Sequence, residues 1–316
     1  MAIPGGTLDT YTAIGNREDL SDMIYDVSPS DTPIFSMCGR TKATNTIHEW
    51  QTDSLRASAD NKALEGDDAT TAVMSNTTRL NNICQIMTET AYVSGTQQDG
   101  MNPAGRKKEM AYQISKKMKE IKLDAEKAII GLGPNGNPKV AGNASTEREM
   151  ADIYTYLTSN VEVGVGGAVA TGDGSDAMTD GADTALTEAK VTAVCQDLFN
   201  NGGNPNTLVC SAAHKAVISG FAGNATRYVS TDDKKLVTSI DVYVGDFHSL
   251  KIVPSREING ANVLLLDAQY LAVAEMRGLH SYDLGKSGDN YKKHMVWEWT
   301  LEVKNEAAHG LIADNS

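Results

Sequence analysis

The sequence predicts an α+β fold, and three observations support this class. A single apolar stripe with helical spacing runs through residues 103–131, strictly alternating residues follow at 294–304, and strand and helix patterns alternate over 187–253. Hydrophobic residues make up 41% and charged residues 22% of the 316 residues, which is typical of a globular chain. The length suits one large domain or two ordinary ones.

The N-terminal segment, residues 1–27, is polar and rich in glycine at its start, with scattered apolar side chains such as Tyr11 and Ile14. Such a segment cannot bury a core by itself, so we expect an arm that lies on another surface or a loose terminus. It has neither the basic start nor the apolar run of a signal peptide. Residues 28–40 then predict one short helix that Ser30 or Asp31 caps and that ends at Gly39.

Two strands are predicted at residues 44–55 and 79–94, joined by the polar connection 56–78. This pattern indicates a long hairpin with an extended tip. A lone two-stranded hairpin is marginal in water. We therefore expect the first hundred residues to have too little apolar surface for a core of their own and to order on contact with neighbouring molecules.

The long helix is predicted to begin with Asn102 as cap and Pro103 as first residue, and to end at Gly131. Its other face is basic, with eight Lys and Arg against four acidic residues, so this segment contributes +4 to a chain whose net charge is −13. Two interpretations stay open: a solvated face with i,i+4 ion pairs, or a contact site for acidic neighbouring subunits or enclosed DNA.

The glycine- and aspartate-rich segment 164–183 is predicted to be a loop, either mobile or wrapped over a surface. Its aspartates raise the alternative of a calcium site. Their spacing does not match an EF-hand loop, and we expect no metal.

In the C-terminal half, Thr187 is predicted to cap a helix that ends at residues 201–203, and Ser211 to cap a second helix that reaches Phe221. A short strand at 207–210 separates them, and further strands are predicted at 239–245, 248–253, 262–267 and 270–275. The last strand, 294–304, alternates Met, Trp, Trp, Leu and Val with Val, Glu, Thr, Glu and Lys. We expect the side chains of the first set to be buried, and those of the second set to be exposed to solvent or to contact a neighbouring molecule.

Net charge and cysteine spacing indicate which classes of function are disfavoured for this chain. A chain with pI near 4.9 repels nucleic acid, because strong binding needs clustered Lys and Arg. The four cysteines show no CxxC spacing, so buried or idle thiols in a reducing cytoplasm are expected. No apolar stretch is long enough to span a bilayer.

Two short motifs resemble cofactor sites but lack their context. Residues 131–136 fit GxGxxG by letter, yet they follow a charged helix instead of a buried strand. The GKS at 285–287 lacks the required glycine five residues earlier, where His280 stands. We find no HExxH and no GxSxG, and therefore expect no catalytic, cofactor-binding or metal site and no enzyme.

Several segments together resemble the major capsid (major head) proteins of tailed bacteriophages, most of all those of some short-tailed phages. They are, in order, SPSDTPIFS at 28–36, HEWQTDSL at 48–55, AGRKKEMAYQISKKMKE at 104–120, SIDVYVGDFHSLKIVPSR at 239–256, LGKSGD at 284–289 and TLEV at 300–303. The match runs with gaps over most of the chain. The loop 164–183 has no counterpart that we can place.

The resemblance implies the capsid fold that tailed phages share with herpesviruses. It would divide the chain into an N-terminal arm (1–44), an extended hairpin loop (45–98), a peripheral domain (99–145 and 273–316) with a spine helix at about 103–131, and an axial domain (146–272).

The function so implied is structural: self-assembly as hexamers and pentamers into an icosahedral shell that encloses the phage genome. Partners would be copies of the same chain, with scaffold, portal and decoration proteins as further candidates and packaged double-stranded DNA by enclosure and weak contact. No membrane is involved. The location would be the virion capsid, assembled in the host bacterial cytoplasm. The candidate contacts between subunits are Tyr11, Ile14, Trp50, Arg56, Lys62, Arg106, Lys107 and Lys116.

Two alternatives remain open at this point. One is a minor virion protein, either a decoration or a scaffolding protein, although these rarely combine an arm, a hairpin and a rod in this order. The other is a cytoplasmic α/β enzyme, which the strand and helix pattern over 187–253 favours.

Overall fold

A computed structural model describes residues 28–29, 31–62, 64–66, 68, 74–101, 103–221 and 241–316. The helices are α1 (Pro33–Met37), α2 (Glu109–Ile129), α3 (Glu188–Asn200) and α4 (Ala212–Ser219). The strands are β1 (Gly39–Lys42), β2 (Ile47–Thr52), β3 (Thr78–Ile83), β4 (Gln85–Ser94), β5 (Val161–Glu162), β6 (Thr207–Cys210), β7 (Val242–Val244), β8 (Ser249–Pro254), β9 (Val263–Leu266), β10 (Leu271–Asp283), β11 (Asn290–Val303) and β12 (Gly310–Ile312).

The predicted hairpin is present as a two-stranded sheet of β2 and β3. The second predicted strand, 79–94, is however two strands, because the extended pairing is interrupted at Cys84. There β3 ends its pairing with β2, and β4 continues along β11 in a different sheet. The root of the hairpin is therefore continuous with the body of the subunit.

A four-stranded sheet with the order β1-β10-β11-β4 forms the first half of that body. The helix α2 lies against β4 and β11 and buries Met110, Ile121, Ala125 and Ile129 of the predicted stripe. At 21 residues it is about 30 Å long, shorter than predicted.

The predicted start of this helix is wrong. Asn102 lies outside the described residues, and Pro103 precedes a turn in which Gly105 has φ +73°. That left-handed conformation interrupts a helix. The cap position is Lys108, in extended conformation, and the side chain of Gln98 accepts a hydrogen bond from Met110 N at 3.0 Å.

The second half of the body is a six-stranded sheet with the order β5-β12-β9-β6-β8-β7. Both predicted caps on its covering helices are confirmed: Thr187 Oγ1 accepts from Lys190 N, and Ser211 Oγ accepts from His214 N. The C-terminal strand β12 was not predicted. It places residues 310–312 between β5 and β9, in this sheet and not in the four-stranded one.

The two largest apolar cores of the described residues hold these layers together. The larger core lies between the four-stranded sheet, α2 and the near face of the six-stranded sheet, and the second lies between the far face of that sheet and the helices α3 and α4. Ile34, Phe35, Trp50 and Met87 belong to the larger core. They therefore pack within their own subunit, and the expectation that the first hundred residues order on contact with neighbouring molecules is wrong for 33–52 and 78–94.

The last long strand also differs from its prediction. Met295, Trp297, Trp299, Leu301 and Val303 are buried as expected. The alternate residues Val296, Glu298, Thr300 and Glu302 are buried too. The strand β11 lies between β10 and β4, and the side chains on both of its faces are buried. The alternating pattern therefore predicted solvent exposure wrongly for the polar face.

In the described part of the chain we find no helix with the length and apolar character needed to cross a membrane.

Candidate assembly interface

The root of the hairpin is fixed to the body through Asn82, which is fully buried on β3. Its amide donates to Leu301 O at 2.9 Å and to Ala151 O at 3.0 Å, and its Oδ1 accepts from Ala151 N at 2.9 Å. A buried amide with this many partners tolerates little displacement. The direction in which the hairpin leaves the subunit is therefore set by the core.

Trp50 does not lie on the outer surface of the hairpin, as its selection as a contact residue required. Its ring is 9% exposed and packs 5.8 Å from the ring of Tyr156, whose hydroxyl donates to Asn81 O at 2.8 Å. An aromatic ring buried in its own subunit stabilises that subunit. Trp50 therefore anchors the root of the hairpin within its own subunit and does not present its ring for contact with another molecule.

A second polar connection ties β2 to β11. The carboxylate of Glu302 lies 3.1 Å from His48 Nε2 and accepts from Thr41 Oγ1 at 2.9 Å. The hydrogen bond with His48 lowers the pKa of Glu302 and outweighs the opposing effect of burial. Strands β1, β2 and β11 are thus joined at one carboxylate.

Beyond the root, the outer hairpin (residues 53–77) extends without strand pairing in its described part. Three large apolar side chains there are almost fully exposed: Leu55 at 98%, Met74 at 88% and Leu64 at 79%. Isolated exposed apolar residues are ordinary, but three on one projecting segment are typical of a surface that another molecule covers.

The two charged contact candidates of the outer hairpin are also exposed. Arg56 donates only to the neighbouring Ala57 O among the contacts described, at 3.0 Å, and Lys62 pairs with Asp60 at 2.6 Å. An ion pair this exposed contributes little to stability, so a neighbouring subunit can compete for Lys62.

The basic candidates near α2 differ in availability. Arg106 is partly buried and paired with Glu109 inside the subunit. Lys107 is exposed, and Lys116 is exposed with only a long 3.9 Å pair to Glu120. Lys107 and Lys116 can therefore meet another molecule, whereas Arg106 first stabilises the start of α2. Tyr11 and Ile14 lie outside the described residues.

Sequence reasoning missed the carboxylate of Glu126, which is fully buried on α2. It accepts from Ile34 N at 3.0 Å and Phe35 N at 2.7 Å, the first amides of α1. Burial raises its pKa, while the two amide hydrogen bonds act in the opposite direction. A signal was present: Glu126 lies three and four residues before the apolar Ile129 and Ile130, and this spacing places it on the side of α2 that they bury.

A buried carboxylate on β11, paired with two arginines, was also missed. Glu298 is 2% exposed, and its two carboxylate oxygens accept from Arg148 Nη2 and Arg277 Nε, each at 2.5 Å. Buried charges persist when they are paired in this way. The partners come from positions far apart in sequence, so spacing could not reveal them.

The glycine-rich turn at 131–136 encloses a side chain instead of a cofactor. A Cβ on Gly131, which has φ +75°, would lie 2.1 Å from Asp152 Oδ2. Asp152 is fully buried, and Asn137 N and Thr155 N donate to its carboxylate at 2.6 and 3.2 Å. Burial raises the pKa of Asp152 to about 7.

The loop 164–183 is wrapped over the body, one of the two predicted forms. Asp314 Oδ2 accepts from Gly164 N at 2.8 Å and from Gly181 N at 3.1 Å, which closes the loop at its base. Asp173 accepts from Ser175 N at 2.8 Å. Within the described ranges, no group of three or more His, Cys, Asp or Glu side chains could hold a metal ion.

Two further features bear on chemistry. A cleft of about 300 Å³ lies between β4 and the end of α2, where burial and the nearby Glu89 and Glu120 raise the pKa of Asp124. Its lining residues include neither histidine nor cysteine.

All four cysteines are free and buried, and burial raises the pKa of each thiol, so reactive thiolates are disfavoured.

Comparison with known proteins covers nearly the whole chain. Residues 6–316 match the family described as SU10 major capsid protein. The major capsid protein of Escherichia phage Phieco32 is 24% identical over 337 residues, covering 96% of this chain and 95% of that protein.

The fold is similar to two solved capsids. The capsid of the native GTA particle has a TM-score of 0.66 at 12% identity and covers 97% of this chain and 98% of its own. The capsid of cyanophage A-1(L) gives the same four values.

Proposed function

Because this chain belongs to the SU10 major capsid protein family, we propose that its outer hairpin lies across a neighbouring copy and holds the copies together as hexamers and pentamers. The chain is a major capsid protein, the structural unit of a phage shell, and its place is the virion capsid. Membership of this family favours a structural role in the shell over the two alternatives, a minor virion protein and a cytoplasmic α/β enzyme.

The single observation that carries the proposal is the contrast between a rigid root and an uncovered tip. Asn82 fixes the root in the core, while Leu55, Leu64 and Met74 project on the outer hairpin. Burying a side chain of this size contributes about 1.5–3 kcal/mol, so one hairpin could contribute on the order of 5 kcal/mol to a contact. Many repeated contacts of that strength give a stable shell through multivalency.

We propose a division into domains that fits this arrangement. Only the first part of the arm (1–44) and the outer part of the hairpin loop (45–98), residues 53–77, reach neighbouring copies, while residues 33–52 and 78–94 belong to the core of their own subunit. The α2 layer with the four-stranded sheet is the peripheral domain, 99–145 and 273–316, and the six-stranded sheet is the core of the axial domain, 146–272. We propose one exception within the range 273–316: strand β12 belongs to the axial domain, because it pairs with β5 and β9 of the six-stranded sheet.

The exposed basic side chains Lys107 and Lys116 are proposed contacts to acidic neighbours or to enclosed DNA. The chain as a whole carries a net charge of −13 and repels DNA, which suits a container that the genome enters and leaves. Scaffold, portal and decoration proteins are further proposed partners, and assembly is proposed to occur in the host bacterial cytoplasm.

The test uses the register of the hairpin. Thr52 and Thr78 stand opposite each other in the β2–β3 ladder, so an Asn-Gly turn can replace residues 53–77 without changing the root. We expect this variant to fold, with an unchanged tryptophan spectrum, but to form no closed shells by electron microscopy. A second variant with Leu55, Leu64 and Met74 changed to Ser should fail in the same way.

The matched control changes three exposed polar residues of the same segment, Ser54, Asn61 and Ser75, to Ala. It should assemble like the unmodified protein. Normal shells from the variant without the outer hairpin would contradict the proposal.

A further inference from the structure

Two phenylalanines on the surface of the axial side form an aromatic pair. Phe199 is 59% exposed and Phe247 37% exposed, and their ring centroids are 5.4 Å apart. The chain has only four phenylalanines, so half of them lie together at this site. Adjacent exposed aromatic rings are typical of a surface that another molecule covers. We refer to Phe199 and Phe247 as the aromatic patch.

The aromatic patch is held by well-packed structure. Phe199 lies in the last turn of α3, directly after the fully buried Leu198, and Phe247 lies in the turn between β7 and β8. The next residue of that turn, His248, is buried as well. The patch is therefore presented by rigid elements, which lowers the entropic cost of binding.

A second apolar surface lies on the opposite side of the same sheet edge. Strand β7 is the outermost strand of the six-stranded sheet. Its central residue Tyr243 points to α3, where its hydroxyl donates to Glu188 Oε1 at 3.4 Å. Because side chains alternate along a strand, Val242 and Val244 face the other way, and they are 52% and 75% exposed. We refer to these two as the valine face.

Charges of opposite sign accompany the two surfaces. Asp246 precedes Phe247 in the same turn and is exposed. Lys251 stands directly opposite Val242 in the β7–β8 register and is exposed too. The turn that carries Phe247 thus also carries a carboxylate, and the face that carries Val242 also carries an ammonium group.

From this complementarity we propose that the aromatic patch of one copy packs against the valine face of the next, with Asp246 pairing with Lys251 of the adjacent copy. Two different surfaces on opposite sides of one element make a head-to-tail contact, which closes into a ring when the rotation is suitable. The inference rests on the proposed assembly into hexamers and pentamers and names the residues that connect subunits within each ring.

The first test removes the rings by changing Phe199 and Phe247 to Ser together. Sedimentation velocity and negative-stain electron microscopy would measure capsomers and shells, and thermal unfolding would measure the subunit. We expect at least a tenfold rise in the concentration needed for assembly, with an unchanged melting temperature. A lower melting temperature with unchanged assembly would overturn the proposal, because it would show that the patch is covered within its own subunit.

The second test reverses the charges. Asp246→Lys and Lys251→Asp alone should each weaken assembly several-fold, and the double variant should restore it. Absence of that restoration would overturn the proposed pairing. The unmodified protein separates the two levels of the proposal: if it forms no shells, the proposed function fails, whereas if all variants assemble normally, only the aromatic contact fails.

Discussion

Replacing Glu126 with Gln tests how the segment at 33–37 is attached to the subunit. The two carboxylate oxygens of Glu126 accept from Ile34 N and Phe35 N, and the side chain is fully buried. The attachment matters because Phe35 packs edge-on against Trp297, with centroids 5.2 Å apart. Through this carboxylate, α1 is fixed to α2 and to the tryptophans of β11.

The expected magnitude follows from the geometry. Glutamine keeps one acceptor oxygen, while its NH₂ group faces an amide N–H that then has no partner. Losing one charge-assisted hydrogen bond and leaving a buried donor unsatisfied costs about 3 kcal/mol. At about 2.1 cal/mol/K per residue, the unfolding entropy of 316 residues is about 0.7 kcal/mol/K. The melting temperature should therefore fall by about 4–5 °C.

The assay is thermal unfolding of the unassembled protein, followed by tryptophan fluorescence and circular dichroism. The matched control is Glu120→Gln on the same helix, where Glu120 is only half-buried and pairs with Lys117 at 2.6 Å. That substitution should change stability by no more than ~0.5 kcal/mol. Equal shifts for both variants, or none for Glu126→Gln, would refute the role assigned to the buried carboxylate.

Two pH dependences of opposite sign follow from other buried groups. Burial lowers the pKa of His309 from 6.5 to about 4, so its contribution to stability is present above pH 6.5 and is lost as the pH falls through 4. Relative to His309→Gln, the unmodified protein should lose about 3 kcal/mol over that interval, and parallel denaturation curves would contradict this. Burial raises the pKa of Asp152 from 3.8 to about 7, so its contribution is present below pH 4 and is lost as the pH rises through 7. The stability difference between the unmodified protein and Asp152→Asn should fall by up to about 4 kcal/mol over that interval, and a constant difference would argue against it.

Local signals in the sequence predicted a large part of the fold. Thr187 and Ser211 cap their helices as expected, because capping depends on side chains within three residues of the helix start. The helix α2 was predicted from apolar residues three and four positions apart, and the β2–β3 hairpin from two strand patterns joined by a polar connection. The start of α2 was not, since the cap of Met110 N comes from Gln98, twelve residues earlier.

Burial of polar residues could not be predicted from local patterns. Glu298 and Glu302 alternate with apolar residues on β11, a pattern that predicts exposure to solvent. They are buried because Arg148, Arg277 and His48 reach them from other elements. Trp50 is similar: its strand pattern gave one exposed and one buried face, and only Tyr156 determines which face contacts the body.

Assembly-related residues were predictable only in part. Arg56 and Lys62 are exposed on the outer hairpin, as a polar connection suggests, and their contact to a neighbour stays a prediction. The aromatic patch could not be recognised from the sequence, because Phe199 directly follows the apolar Leu198 at the end of α3 and Phe247 lies 48 residues away in a turn.

The most direct test of the central claim is a cryo-electron microscopy reconstruction of the particles that the full chain forms. We predict closed icosahedral shells in which the outer hairpin lies on an adjacent subunit, with Leu55, Leu64 and Met74 covered by that neighbour. A compact monomer that does not associate, or a shell in which these three side chains remain exposed to solvent, would contradict the account.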